Sequence, residues 1–249
     1  VEYGKENKYD DDIFFQKYSQ MSRSQQGLAG AGEWETLRKL LPDFKDKRVL
    51  DLGCGYGWHC IYAMEHGASS VVGVDISHKM LEVAKEKTHF PQVEYKCCAI
   101  EDVEFPEESF DVILSSLAFH YVADYEILVK KIYRILKSGG KLVFTVEHPV
   151  FTAYGTQDWY YNEKGEILHF PVDNYYYEGK RTAVFLGEKV TKFHRTLTTY
   201  LNTLLSNGFI INHIVEPQPP ENMMDIPGMR DEMRRPMMLI VSANKKVDR

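Results

Sequence analysis

The sequence predicts an α/β fold: a largely parallel sheet with helices on both faces. Two observations carry that prediction. Between residues 48 and 148, short and near-continuous apolar runs alternate with amphipathic stretches, as strands buried on both faces alternate with the helices that cover them. At the end of the first run a glycine-rich turn leads straight into the first helix, where free amides and the positive end of the helix dipole collect. With 44% apolar and 27% charged residues among 249, the composition excludes disordered and fibrous classes and leaves ample core for one large domain.

Residues 13–41 read mostly helical, with a break around Gly27, Gly30 and Gly32, and Pro42 stops the second helix. Residues 49–52 form a buried strand, 58–66 a helix ended by Gly67, and 71–74 a second strand. Ser77 is a good N-cap for a helix running to about residue 87, because its hydroxyl can accept an orphan amide of the first turn. Two more strands lie at 93–97 and 110–114, and 125–136 is an amphipathic helix. Gly139-Gly140 then turns the chain into a fifth strand at 141–146. Residues 149–195 read as two hairpins, with turns at Asn162-Glu163-Lys164-Gly165 and Gly187-Glu188. A helix at 196–207 ends at Gly208. Strands at 209–215 and 237–243 close the chain, joined by a loop bearing Pro217, Pro219, Pro220 and Pro227. The expected organisation is one domain, with a helical cap at 1–44, a core at 45–148, an insertion at 149–195 and a closing unit at 196–249.

Several functional classes fall away. No apolar run approaches the roughly 20 residues that cross a bilayer, and the polar, acidic first twelve residues lack the pattern of a secretory leader. Thirty basic against 36 acidic side chains give a net charge of −6, which argues against a global grip on nucleic acid or an anionic membrane. Cys54, Cys60, Cys97 and Cys98 form no CxxC pair and read as reduced thiols of a cytoplasmic protein. His59, His66, His78 and His89 lack ligand spacing, so no metal is expected.

The sharpest signal is Val49-Leu50-Asp51-Leu52-Gly53-Cys54-Gly55-Tyr56-Gly57-Trp58-His59. Its glycines let a ligand approach the main chain closely. Eighteen residues after Gly57, at the end of the second strand, stands Asp75, where a carboxylate can accept from both hydroxyls of a ribose. The dinucleotide fingerprint GxGxxG fails here, because its last glycine would fall on Trp58 or Cys60. What is present is acidic-x-G-x-G-x-G.

With these residues the sequence resembles the class I S-adenosylmethionine-dependent methyltransferases, in order along residues 45–150. The glycine loop is similar to their first motif and Val72-Gly73-Val74-Asp75-Ile76-Ser77 to their second. Phe105-Pro106-Glu107-Glu108-Ser109-Phe110-Asp111-Val112-Ile113 is similar to their entry into strand four, and Leu136-Lys137-Ser138-Gly139-Gly140-Lys141-Leu142 to their turn into strand five. The resemblance implies a Rossmann-like seven-stranded, mostly parallel sheet with an antiparallel last strand, an N-terminal helical lid and a β-rich insertion after strand five. It implies S-adenosylmethionine as cofactor and S-adenosylhomocysteine as product. Gly53, Cys54 and Gly55 would pass near the methionine part, Asp75 would hold the ribose, and Ile76 and Met80 would pack on adenine. Where many relatives carry an adenine-binding Asp in a Gly-Asp-Ala stretch, this chain reads Cys98-Ala99-Ile100. The ring contact then falls to Ala99 and Ile100, and the adenine amino group to Glu101 or Asp102. Ser116 and Leu117 would meet the methionyl end, while Tyr18 and Arg23 lie in a segment that closes over the cofactor, Arg23 facing its carboxylate.

Methyl transfer from a sulfonium needs alignment and exclusion of water, and a base only where the acceptor must lose a proton. His120, after strand four, and His148, after strand five, stand at the carboxyl edge of the sheet and are the general-base candidates, each with a structural role as the alternative. Rings concentrate in the insertion between Phe151 and Phe193, which suits an apolar, planar or cationic acceptor; packing of the hairpins or a homodimer contact is their other use. The expected function is methyl transfer to a small-molecule acceptor, nearest the quinone-biosynthesis branch. A non-catalytic cofactor-binding module and a nucleic-acid methyltransferase stand as alternatives, the second resting on Arg230, Arg234 and Arg235. Aminopropyl transfer finds no acidic cluster to support it.

Overall fold

The computed structural model describes residue 5 and residues 7–247; residues 1–4 and 6, part of the acidic start of the chain, and residues 248 and 249 lie outside the described residues. Three short helices begin it, α1 (Asp12–Ser19), α2 (Ser22–Gln25) and α3 (Trp34–Arg38). The 13–41 stretch is thus more broken than its composition predicts, and α3 stops before Pro42 acts. Then come β1 (Arg48–Leu52), α4 (Trp58–Glu65), β2 (Ser70–Asp75), α5 (His78–Lys87), β3 (Val93–Cys97), β4 (Phe110–Ser116), α6 (Tyr125–Ile135) and β5 (Leu136–Glu147). Leu136 begins a strand instead of ending a helix, because it pairs with Phe110 before the register shifts. The short α7 (Pro149–Thr152) leads into two hairpins, β6 (Tyr160–Tyr161) with β7 (Ile167–His169) and β8 (Gly179–Phe185) with β9 (Glu188–His194). The second hairpin turns at Leu186-Gly187, both in the left-handed region at φ 54° and 77°, as a two-residue hairpin requires. Helix α8 (Leu197–Ser206) and strands β10 (Phe209–Val215) and β11 (Met238–Lys245) complete the chain.

Seven strands form one sheet in the order β10-β11-β5-β4-β1-β2-β3, and the two hairpins stand apart as two-stranded sheets. The last strand, β11, runs antiparallel to both β10 and β5, while β1 to β5 are parallel. Successive residues of each strand enter opposite cores, as the pleat dictates. Leu50, Val72, Ile113, Phe144 and Val241 meet α6 and α8 on one face. Val49, Val71, Val112, Val143 and Ile240 meet α3, α4 and α5 on the other. Helix α6 buries Leu128, Val129, Ile132 and Ile135, each worth roughly 1.5–3 kcal/mol before conformational costs.

Two core features shape the glycine loop. Gly73 sits mid-strand in β2 because the Tyr95 ring crosses it: a Cβ there would fall 2.7 Å from the ring and 3.0 Å from Cys54 Sγ. The Tyr95 hydroxyl reaches Thr88 Oγ1 at 2.8 Å. Beneath the loop, Asp51 is 1% exposed. Its Oδ2 accepts from Cys60 Sγ at 3.5 Å and its Oδ1 has no partner among the described residues. Burial pushes its pKa up to about 7.

Two outcomes follow. Gly73→Ala should lower stability by about 1–3 kcal/mol in urea unfolding, and less in a Tyr95→Leu background; equal losses in both backgrounds would sink the notch argument. Asp51→Asn should stabilise the protein, with a gap that widens as pH rises from about 4 to 7 and is flat above. The sign follows from a folded pKa raised above the unfolded one, so that ionisation of the native carboxyl costs stability as pH climbs. Thermal midpoints that track the wild type at every pH would refute it.

Candidate active site

Strand β1 ends at Leu52 and the chain bends through Gly53, whose φ of 78° and 2.4 Å approach of a built Cβ to Ala118 Cβ admit only glycine. The amides of Gly53 and Cys54 both donate to Val74 O, at 2.8 and 2.9 Å, fixing the loop to the end of β2. Asp75 sits beside it. Its Oδ2 accepts from Gly55 N and its Oδ1 from Ser77 N, each at 2.9 Å. Burial raises its pKa despite those two bonds, so the carboxylate is held in place and short of solvent.

Residues 9–23 cover this corner. Asp10 accepts from Ser77 Oγ at 2.6 Å and from the Lys79 amide at 3.1 Å, at the start of α5. The half-buried ring of Tyr9 meets Tyr18 edge-on at 5.2 Å, and its hydroxyl lies 3.3 Å from that of Tyr121. Arg23 Nη2 grips both oxygens of Glu33 at 2.8 and 2.9 Å. Its remaining N–H groups make no bond among the described residues.

Beneath this roof lies a cavity of about 260 Å³. It is lined by Tyr18, Arg23, Gly53, Gly55, Asp75, Ile76, Met80, Ala99, Ile100, Glu101, Ser116 and Leu117. Each of these is a residue that the resemblance assigns to the cofactor. Cys54 is the exception: it faces a smaller adjoining recess shared with Glu33, Tyr56 and Trp58. Asp102 is engaged by Lys5 and does not line the cavity, which leaves Glu101, of the two, on its wall. Leu117 holds a left-handed φ of 54°, pinned by bonds from its amide to Thr145 O (2.9 Å) and Oγ1 (3.0 Å). Thr145 is fully buried and escaped the sequence reading.

The far end of the cavity carries His120, Tyr121, Glu147, Phe185, Met237 and Met238. His120 is 1% exposed, and burial brings its pKa down to about 4. Glu147 belongs to a buried network: Lys192 Nζ donates to its Oε1 at 2.6 Å, Gln157 Nε2 to its Oε2 at 2.6 Å, and Lys192 to Gln157 Oε1 at 2.8 Å. Burial alone would raise the Glu147 pKa, but the neighbouring His120 ring and the Lys192 ammonium outweigh it and hold it below the usual value. Arg195 braces the turn that carries His120 through the carbonyls of Phe119, Val122 and Ala123. Glu147, Gln157 and Lys192 were not singled out in the sequence.

Three expectations need correction. His148 does not line the cavity. It follows Glu147 at the end of β5 and its ring faces away, with Nδ1 accepting from Val150 N at 3.1 Å and Nε2 lying 2.8 Å from Glu216 Oε1. The rings of the insertion do not wall the cavity either, Phe185 excepted. Phe151, Trp159 and Phe170 gather within 4.7–4.9 Å of the Arg235 guanidinium, and Tyr176 and Tyr177 are exposed at 87% and 76%. The basic trio is internally paired, Arg230 with Asp225, Arg234 with Asp231 and Arg235 with Glu232. Among the described residues no cluster of three potential ligands could take a metal, and no helix is long and apolar enough to cross a membrane.

The cavity's chemistry fits a nucleoside joined to an amino acid: a carboxylate for ribose hydroxyls, apolar side chains for a flat ring, and arginine N–H groups for a carboxylate. Residues 50–144 match the family model of a methyltransferase domain. A solved structure from Listeria monocytogenes, assigned to the S-adenosylmethionine-dependent methyltransferases, is 57% identical. The match covers 88% of this chain and 99% of that one, with a TM-score of 0.85. An S-adenosylmethionine-dependent methyltransferase from Mesorhizobium loti is 40% identical and covers 88% and 100%, with a TM-score of 0.81. The ubiquinone biosynthesis O-methyltransferase of Coxiella burnetii is 36% identical over 112 residues, spanning 44% of this chain and 47% of that protein. Likeness at this level over most of the chain means that it belongs to the S-adenosylmethionine-dependent methyltransferases, enzymes whose methyl donor is S-adenosylmethionine.

Proposed function

We propose that this enzyme methylates a small organic molecule, and that donor and acceptor lie end to end in the cavity beneath the N-terminal segment. The observation that carries the reading is the continuity of that space, which runs from Asp75 and Gly55 to His120 and Phe185 under Tyr9 and Tyr18. A roofed, mostly apolar cavity with a few polar groups is the usual form of a small-molecule site. Arg230, Arg234 and Arg235 each have an acid beside them, which supports a small acceptor over a nucleic acid. The partial likeness to a ubiquinone biosynthesis O-methyltransferase points the same way.

When bound, S-adenosylmethionine supplies a methyl group on a sulfonium, activated for displacement. Asp75 would accept from the ribose hydroxyls with the lone pairs its two amide bonds leave. Ile76 and Met80 on one side and Ala99 and Ile100 on the other would hold adenine, with Glu101 for its amino group. The unbonded N–H groups of Arg23 would take the carboxylate, and Gly53, Gly55, Ser116 and Leu117 would line the methionyl end. The roof of Tyr9 and Tyr18 excludes water, and the fixed walls align the reactants, which is the larger part of catalysis for an activated donor.

Calorimetric titration with S-adenosylmethionine, S-adenosylhomocysteine and NAD should give binding of the first two and none of NAD. In Asp75→Asn, affinity for the first two should fall about 10- to 100-fold, the loss of a charge-assisted hydrogen bond; unchanged affinity would remove the ribose role. Release of S-adenosylhomocysteine should occur with low-molecular-weight cell extract and not with RNA or DNA. Turnover confined to the nucleic acids would overturn the proposed acceptor.

A further inference from the structure

We infer that the acceptor is an oxygen acid that enters the cavity already ionised, and that His120 holds its oxygen through Nε2–H instead of taking its proton. This rests on the methyl-transfer reading above and names the acceptor class for it. His120 Nδ1 accepts from the Glu147 amide at 3.4 Å. A neutral imidazole has one acceptor and one donor nitrogen, so this bond assigns the proton to Nε2. The ring lines the cavity, Nε2 has no partner among the described residues, and burial keeps the ring neutral at physiological pH. His120 therefore offers the cavity a donor, not a lone pair.

No neighbour substitutes as the base. Glu147 has both oxygens bonded, by Lys192 and Gln157. The Tyr9 hydroxyl, against Tyr121, is held protonated by burial, well above the usual tyrosine range. Of the charges that face His120 from neighbouring elements, Lys192 from β9 and Arg195 beyond it are cationic and Glu147 alone is anionic. An ammonium acceptor would meet two cations and one satisfied carboxylate, whereas an oxyanion meets a donor with cations behind it. In the transfer the oxyanion lone pair forms the new O–C bond, the S–C pair leaves with sulfur, and no proton passes to the protein. A phenolate and a carboxylate share this chemistry.

The tautomer is read directly from ¹⁵N-histidine-labelled protein in two-bond ¹H–¹⁵N spectra, with the His120 signals assigned by their loss in His120→Gln. Neutral His120 with Nε2 protonated from about pH 5.5 to 8 is expected; an Nδ1–H tautomer, or a titration midpoint near the ordinary histidine value of about 6.5, overturns the inference. The acceptor class is read by calorimetry on protein loaded with S-adenosylhomocysteine at about pH 8, using 4-nitrophenol, benzoate and benzylamine. Binding of either anion is expected, and which one binds separates phenolate from carboxylate; binding of the amine alone, or of no anion, overturns the class. His120→Phe should weaken the bound anion about 10- to 100-fold, while His120→Gln, which keeps an N–H donor, stays within a few-fold. Equal losses in both variants would show that the Nε2–H donor does not hold the anion, and would overturn the inference. Affinity for S-adenosylhomocysteine itself shows whether each variant is folded. If the wild type does not bind it, the methyl-transfer reading fails and this inference falls with it; if the wild type binds it and neither anion, this inference alone fails.

Discussion

Much of this protein hangs on the carboxylate of Asp75, which ties three separate stretches of chain together. It takes the Gly55 amide from the loop after β1 and the Ser77 amide from the start of α5. The Ser77 hydroxyl in turn donates to Asp10 in the N-terminal segment. Two carboxylates are thus brought near one helix start, where unpaired amides and the helix dipole favour negative charge. Burial works against the Asp10 charge, yet the bonds from Ser77, Asn7 and the Lys79 and His78 amides lower its pKa on balance. Asp75 lies deeper and burial raises it. The outer acid closes the roof, and the inner one is kept poised for ligand hydroxyls.

The opposite end of the cavity is organised by the buried pair Glu147–Lys192. Lys192 is 2% exposed, and an ammonium so deep persists only where its charge and hydrogen bonds are met. Glu147 and Gln157 meet both. Lys192 also lies 5.4 Å from the centre of the Phe185 ring. The insertion therefore contributes to the site chiefly through charge and support, and only one of its rings reaches the cavity.

How much of this could be read from sequence depends on how local each interaction is. The glycine loop, Asp75 and the Ser77 cap are set by residues close in sequence or fixed by the strand-turn-helix geometry, and they were legible. The two faces of the sheet followed from alternation. What escaped spans long separations: Glu147 meets Lys192 across 45 residues and Gln157 across 10. The choice between His120 and His148 turned on which way each ring points at a strand end. Successive side chains leave a strand on opposite sides, so with Glu147 on the cavity wall His148 points away. The insertion misled because its rings suggested a pocket, while Arg235, some 65 residues from Phe170 in sequence, draws them to itself.

The two ends of the cavity share a strategy, and the strained backbone at Leu117 shows it. A left-handed leucine costs roughly 1–2 kcal/mol and persists only where its surroundings over-determine it. Here both the carbonyl and the hydroxyl of buried Thr145 take its amide. The same turn brings Ala118 against Gly53 and carries His120 one residue beyond Phe119, whose carbonyl Arg195 holds. Position is thus imposed through the backbone, from the sheet on one side and from Arg195 on the other. For a donor that brings its own leaving group this is the economical use of a protein: the acceptor needs to be held in line and kept dry, and both tasks belong to rigid walls.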